Sequence, residues 1–192
     1  LVTRNSRFMK LNRRLRELID SNKKELTLLV LLCFSLTTNA QSKENPMIEA
    51  VQKFAVSTEH ADKFGALPVQ SSNGRMIPVN TFSSEILRKL HKSDKIGSLN
   101  SDQFLLSLLA MPDMWMRVPL IAISNSELAG FYNLTEGQSA YIEMFDSNGN
   151  YKLQEGVEEA YNKMPNERSR FDKDLLKLDE QVNIMHQLIN GQ

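Results

Sequence analysis

The chain has 192 residues, 41% of them hydrophobic and 24% charged, which is enough for one hydrophobic core of ordinary size and sets one domain as the expectation. Of its 23 basic and 23 acidic residues, eight and three lie in residues 1–40, leaving 15 against 20 in residues 41–192, a net charge of −5. That balance favours solubility and excludes a nucleic-acid surface, which needs clustered excess Lys and Arg.

The first 40 residues read as a leader. Arg4, Arg7, Lys10, Arg13, Arg14, Arg16, Lys23 and Lys24 precede the apolar run Leu26 to Leu36, and Thr37-Thr-Asn-Ala40 follows it. This is the order of a basic n-region, an apolar h-region and a small-residue cleavage site. The run is eleven residues long, whereas a membrane span takes about 20. Residues 1–40 are therefore expected to be a signal peptide or a membrane anchor, and residues 41–192 a soluble extracytoplasmic domain on the periplasmic side, exported and free or held at the inner membrane. The only cysteine, Cys33, falls inside the apolar run, so residues 41–192 contain neither a disulfide nor a thiol nucleophile.

Next in chain order, Asn45-Pro46 is an N-cap and first-turn pair, and Met47, Ile48, Val51, Phe54 and Ala55 recur at helical spacing, predicting a helix near 46–56. Ser57 to Phe64 is read as a further turn or two of helix, ended by Gly65. Leu67-Pro-Val-Gln70 and Arg75-Met-Ile-Pro-Val79 flank an Asn-Gly turn, which predicts a β-hairpin with edge-like strands because each run contains proline. Asn80 or Thr81 is expected to cap a helix near 81–92, with Phe82, Ile86, Leu87 and Leu90 on one face. Asn100 and Gln103 have the spacing of a capping box opening a helix near 101–111.

Pro112 stops that helix or begins a short turn carrying Trp115, and Val118 to Ile123 reads as a short buried strand. Residues 124–138 look loop-rich, and 140–145 fit strand or helix. After Pro165, the apolar residues Phe171, Leu175, Leu178, Val182, Met185 and Ile189 fall at alternating four- and three-residue steps, with Gly191 at the stop. This long amphipathic helix offers a possible partner-helix face, but with fewer than three heptads the stripe more often packs on the domain's own core. The fold class is thus α+β, predominantly helical: amphipathic helices, a small β-hairpin with short strands, and a long C-terminal helix.

Catalytic signatures are sparse. The chain has no G-x-S-x-G, H-E-x-x-H, phosphate-binding glycine loop or C-x-x-C-H, the last of which is needed for covalent haem of the c type. His60, His91 and His186 lie on separate predicted elements. Glu59, His60, Asp62 and Arg75 form a weak candidate polar cluster, since carboxylate, imidazole and guanidinium groups come close across a turn; salt-bridged helix surface is the commoner meaning of such a pattern. Asp146-Ser-Asn148-Gly-Asn150 begins like a calcium loop, but Tyr151 replaces the sixth-position glycine and Val157 the twelfth-position glutamate. A tight turn between Phe145 and Tyr151 explains it better.

Several blocks carry a resemblance. His60-Ala-Asp-Lys-Phe-Gly-Ala-Leu-Pro-Val-Gln70, Asn73-Gly-Arg-Met-Ile-Pro-Val-Asn-Thr-Phe-Ser-Ser-Glu-Ile-Leu-Arg-Lys-Leu90, Leu99-Asn-Ser-Asp-Gln103 and Phe171-Asp-Lys-Asp-Leu-Leu-Lys-Leu-Asp-Glu-Gln-Val-Asn183 resemble the extracytoplasmic segment of the fused ResB/CcsA-type proteins of System II c-type cytochrome biogenesis, as found in Bacteroidetes. The resemblance covers roughly residues 45–190. It implies an accessory extracytoplasmic module, itself non-catalytic, working with membrane-embedded cytochrome c assembly proteins and with apocytochrome c as a further possible partner. Haem is handled by the membrane part of that family, through transmembrane helices, a tryptophan-rich motif and membrane-associated histidines. Trp115 is the only tryptophan here, so no haem-ligand role carries over to His60, His91 or His186, and this segment is expected to bind no cofactor or metal itself. The alternative reading is an exported ligand-binding domain or hydrolase-type enzyme centred on the Glu59–Arg75 cluster.

Overall fold

The computed structural model describes residues 45–71 and 73–191, with the isolated pair 13–14. Apart from that pair, the leader lies outside the described residues. The second of the chain's two units, Glu44–Gln192, carries the elements that follow.

The chain enters through α1 (Pro46–Phe54), where Asn45 Oδ1 accepts the Met47 N–H at 2.9 Å and Pro46 supplies the preset first turn. Ser57 caps α2 (Thr58–Gly65). Strands β1 (Pro68–Gln70) and β2 (Met76–Pro78) then pair antiparallel with Val69 opposite Ile77. The expected Asn-Gly turn joins them, and Gly74 takes φ +81°, a region costly for a side chain bearing a Cβ.

Helix α3 (Val79–His91) begins directly at the end of β2, without the expected side-chain cap from Asn80 or Thr81. The reason is a tertiary demand on Asn80. Its Nδ2 donates to Asp102 Oδ2 at 3.1 Å, and the Ser83 hydroxyl donates to the other oxygen of the same buried carboxylate. A buried carboxylate is tolerable only when its oxygens are satisfied, and here that requirement ties α3 to the next long helix.

Strands β3 (Lys95–Ile96) and β4 (Leu99–Asn100) form a minimal hairpin leading into α4 (Ser101–Ala110). The capping box forms as the spacing predicts: Asn100 Oδ1 accepts the Gln103 N–H at 2.8 Å, and Gln103 Oε1 accepts the Asn100 N–H at 3.2 Å. Gln103 Nε2 also donates to the Val56 carbonyl at 2.8 Å, holding the α1–α2 junction against α4. The short helix α5 (Pro112–Trp115) turns Trp115 inward, edge-on to Phe104 at 4.9 Å, with its indole N–H donating to Ser107 Oγ at 3.1 Å.

Strand β5 (Pro119–Ile123) is buried along nearly its whole length and pairs antiparallel with β6 (Gly137–Ala140). Between them, where the sequence looked loop-rich, lies α6 (Ser126–Tyr132). Asn125 caps it through Oδ1, while its Nδ2 donates to Asp174 Oδ2 at 2.9 Å, so a tertiary contact supports a helix too short to stand alone. A 3₁₀ turn, Tyr141–Met144, settles the ambiguous stretch. Phe145 and Tyr151 form an isolated bridge around Asp146, whose carboxylate accepts the N–H groups of Asn148 and Asn150; the calcium-like motif is an Asx-type turn.

Helix α7 (Gln154–Asn162) is absent from the sequence expectation, and α8 (Arg170–Asn190) is the long C-terminal helix. At 21 residues α8 runs about 32 Å. Its stripe packs on the domain's own core: Leu175, Leu178, Val182 and Met185 are buried, and Phe171 and Ile189 are half-buried against the same cluster. That core is continuous from Ile48 of α1 to Met185 of α8. The fold is α+β and helix-dominated, with three separate two-stranded antiparallel pairs among the described residues. No helix among the described residues is long and apolar enough to cross a membrane.

Candidate functional site

An open groove of about 430 Å³ that combines apolar and charged walls lies where α6, α7 and the start of α8 meet. One wall comes from the end of α6. Asn133 adopts a left-handed conformation at φ +53° and stops the helix, leaving Phe131 and Tyr132 on its last turn. Phe131 is 75% exposed, an unusual cost for a phenylalanine. Its ring lies edge-on to Tyr132 at 5.0 Å and edge-on to Phe171 of α8 at 5.9 Å, so three aromatic rings form one wall.

The second wall is α7, which presents Glu155, Gly156 and Glu159. Gly156 makes the approach possible. A Cβ there would lie 2.2 Å from the Tyr132 hydroxyl and 3.0 Å from Leu175 Cδ2. Helical glycine costs about 1 kcal/mol relative to alanine, a cost that accompanies the close crossing of Tyr132 over α7. Burial, reinforced by Glu155 and Glu159, raises the Tyr132 phenol above its ordinary range, so it stays protonated at neutral pH.

The third side is the entry of α8. Ser169 and Asp172 form a reciprocal capping box, with the Ser169 N–H on Asp172 Oδ2 at 2.8 Å and the Asp172 N–H on Ser169 Oγ at 3.1 Å. Lys163 Nζ pairs with Asp172 Oδ1 at 3.0 Å, and this ammonium, with the Ser169 contacts, holds the carboxyl below its ordinary value. Arg168 closes the connection by donating to the Ala160 carbonyl at 2.9 Å and stacking over Tyr161. Lys163 is thus spent on Asp172. Glu155 and Glu159 have no ion-pair partner among the described residues, and with Lys152 also in the lining the groove keeps three carboxylates against two ammonium groups, a weakly acidic balance.

Such a groove has the features of a binding surface: exposed aromatic area beside two carboxylates outside any ion pair, suited to a ligand that offers an apolar group and a cation together. It contains no paired nucleophile and base. Among the described residues, no three or more His, Cys, Asp or Glu side chains gather closely enough to hold a metal ion.

The residues singled out from the sequence lie elsewhere. Glu59 pairs with Lys63 at 2.9 Å on the exposed side of α2, His60 and Asp62 are exposed on the same helix, and Arg75 sits in the β1–β2 turn. No hydrogen bond or ion pair joins any two of Glu59, His60, Asp62 and Arg75. His91 is half-buried beside Gln138 Nε2, and burial lowers its pKa from the usual imidazole value. His186 Nδ1 lies 2.9 Å from the Tyr141 hydroxyl. Sequence reading missed the groove because its walls come from residues 131–132, 155–159 and 171–175; the available signals were a Phe-Tyr pair in a supposed loop and a glycine inside an acidic helix.

No protein-family model matches the chain. The chain is 34% identical over 185 residues to Protein NrfI of Wolinella succinogenes, a match covering 93% of this chain. It spans about one fifth, 20%, of that protein's length.

Proposed function

We propose that this domain is a non-catalytic, extracytoplasmic module of c-type cytochrome biogenesis, whose aromatic and acidic groove receives a polypeptide segment carrying apolar and basic side chains. On this reading it faces the periplasm, works beside membrane-embedded assembly proteins of the System II kind, and holds apocytochrome c or a partner loop while haem is handled elsewhere. Two lines support the setting: the sequence blocks that resemble the ResB/CcsA-type proteins, and the likeness to NrfI, which supports a role in c-type cytochrome maturation.

The observation that carries the mechanism is the exposed Phe131 against Tyr132 and Phe171, facing Glu155 and Glu159. Aromatic anchors in a partly formed pocket supply most of the energy in such contacts, and a carboxylate edge selects for cationic partners and speeds their encounter. A hydrolase at the Glu59–Arg75 segment gains no support from the geometry, because those side chains are dispersed and exposed.

A photo-crosslinking amino acid at position 131 of the full chain tests the reading in cells that produce c-type cytochromes. Crosslinks to apocytochrome c or to cytochrome-assembly membrane proteins, lost when Glu155 and Glu159 are both changed to Gln, are expected. Crosslinked products containing neither class would overturn it.

A further inference from the structure

On the opposite flank of α8 a second concavity, of about 290 Å³, opens toward α3. Arg88, Lys89 and Lys92 from the end of α3 and Lys177 from α8 surround it, with Glu180 the one acid on its rim. Half-buried Ile184 and the methylene stems of the basic residues supply apolar surface beneath the charges. This concentration stands out in a domain whose residues 41–192 carry a net charge of −5.

A structural explanation for cations at a helix C-terminus is neutralisation of the last carbonyls. Here that need is already met. Buried Gln181 donates its Nε2 to the Lys89 carbonyl at 2.6 Å and to the Leu90 carbonyl at 3.3 Å, and the Lys92 N–H bonds the Arg88 carbonyl. Glu180 neutralises Lys89 at 2.9 Å. The Arg88 side chain reaches only the Ser84 carbonyl, Lys92 reaches the Ser124 hydroxyl, and Lys177 has no hydrogen-bond or ion-pair partner among the described residues. Arg88, Lys92 and Lys177 therefore face one opening without a carboxylate ion pair, the rim's Glu180 being engaged by Lys89.

We infer that this cleft docks on the anionic phospholipid headgroups of a membrane surface. The site is independent of the groove and of the function proposed for it. A free oxyanion would be held best by convergent donors in a closed pocket, whereas these cations splay around an open rim over apolar stems, which suits a plane of phosphates above acyl chains. The chain length permits the contact. Residues 37–45, between the apolar run ending at Leu36 and α1, span at most about 30 Å when extended, so a bilayer holding that run lies within the domain's reach.

Flotation of the full chain with phosphatidylcholine vesicles and with mixed phosphatidylcholine–phosphatidylglycerol vesicles tests this. The leader contributes equally to all variants, so differences between variants read the cleft. Arg88→Gln with Lys177→Gln is expected to weaken binding to the anionic vesicles about tenfold at low salt, with neutral vesicles unaffected and the difference shrinking as salt rises. Glu180→Gln should strengthen it. Lys53→Gln with Lys63→Gln, an equal charge change on α1 and α2, should leave it unchanged, and circular dichroism confirms that each variant is folded. Equal behaviour of the two double variants overturns the proposal, and so does release by inorganic phosphate beyond that of chloride at matched ionic strength, which would mark a free-oxyanion site.

Discussion

Helix α8 borders two concavities of opposite character. Toward α6 and α7 it offers Phe171, Asp172 and Leu175 to an aromatic wall edged by Glu155 and Glu159. Toward α3 it offers Lys177, Glu180 and Ile184 to a rim of cations. Between them runs the core stripe of Leu175, Leu178, Val182 and Met185. An amphipathic helix has two borders where apolar and charged residues meet, and neighbouring helices of different length and charge turn each border into a different surface.

The comparison can be broken from beneath. Leu175 is 1% exposed, belongs to the core and lines the groove, so Leu175→Ala should cost about 2–5 kcal/mol in urea unfolding. Groove and cleft should weaken together. A cost well below 1 kcal/mol, on the scale of ordinary surface changes, would show that this turn of α8 is not the shared support.

Ser169→Ala sharpens the contrast, because it removes the cap at the groove end alone. A loss of about 0.5–2 kcal/mol is expected. Hydrogen exchange should speed up in the first turn of α8 and the α7–α8 connection and leave the turns bearing Lys177 and Glu180 unchanged.

Acid should separate the two flanks. Burial holds His91, on the last turn of α3 with its ring against Gln138, below its ordinary 6.5, so the unfolded chain takes up a proton first. Its contribution is complete above that value and declines as pH falls below it; His91→Gln should flatten the dependence of the urea midpoint on the acid side of 6.5. Asp172, at the groove, lies below its ordinary 3.8 because of Lys163 and Ser169. Its contribution persists until pH falls through the lower folded value, and Asp172→Asn should remove only that acid limb.

The smallest effect on stability is expected at Phe131. With 75% of its surface exposed, Phe131→Ala should move stability by no more than about 0.5 kcal/mol while lowering crosslinking or capture of the polypeptide partner. A large stability loss would make Phe131 a structural residue and remove the wall's functional meaning.

Local chemistry made much of the fold legible. The Asn100–Gln103 box, the Asn45-Pro46 start, the turn at Asn73-Gly74 and the four-three stripe of α8 each depend on residues within a few positions of one another, and each formed as the pattern predicts. Where long-range partners intervened, the pattern misled. Asn80 has the chemistry of a cap but is drawn to buried Asp102, and α6 forms in a stretch without strong helical signal because Asn125 is anchored to Asp174.

The same division holds for the sites. Glu59, His60 and Asp62 are neighbours in sequence, yet the turns of α2 leave them on solvent with no shared contact. Phe131, Gly156 and Phe171 are far apart in the chain and meet only because α6, α7 and α8 pack together. The sequence alone determined the helix-dominated class, the principal caps and the long C-terminal stripe, since periodicity and capping are set by adjacent residues. Only the tertiary structure decided which faces remained open once the core was filled, because burial depends on neighbours that the linear order does not place side by side.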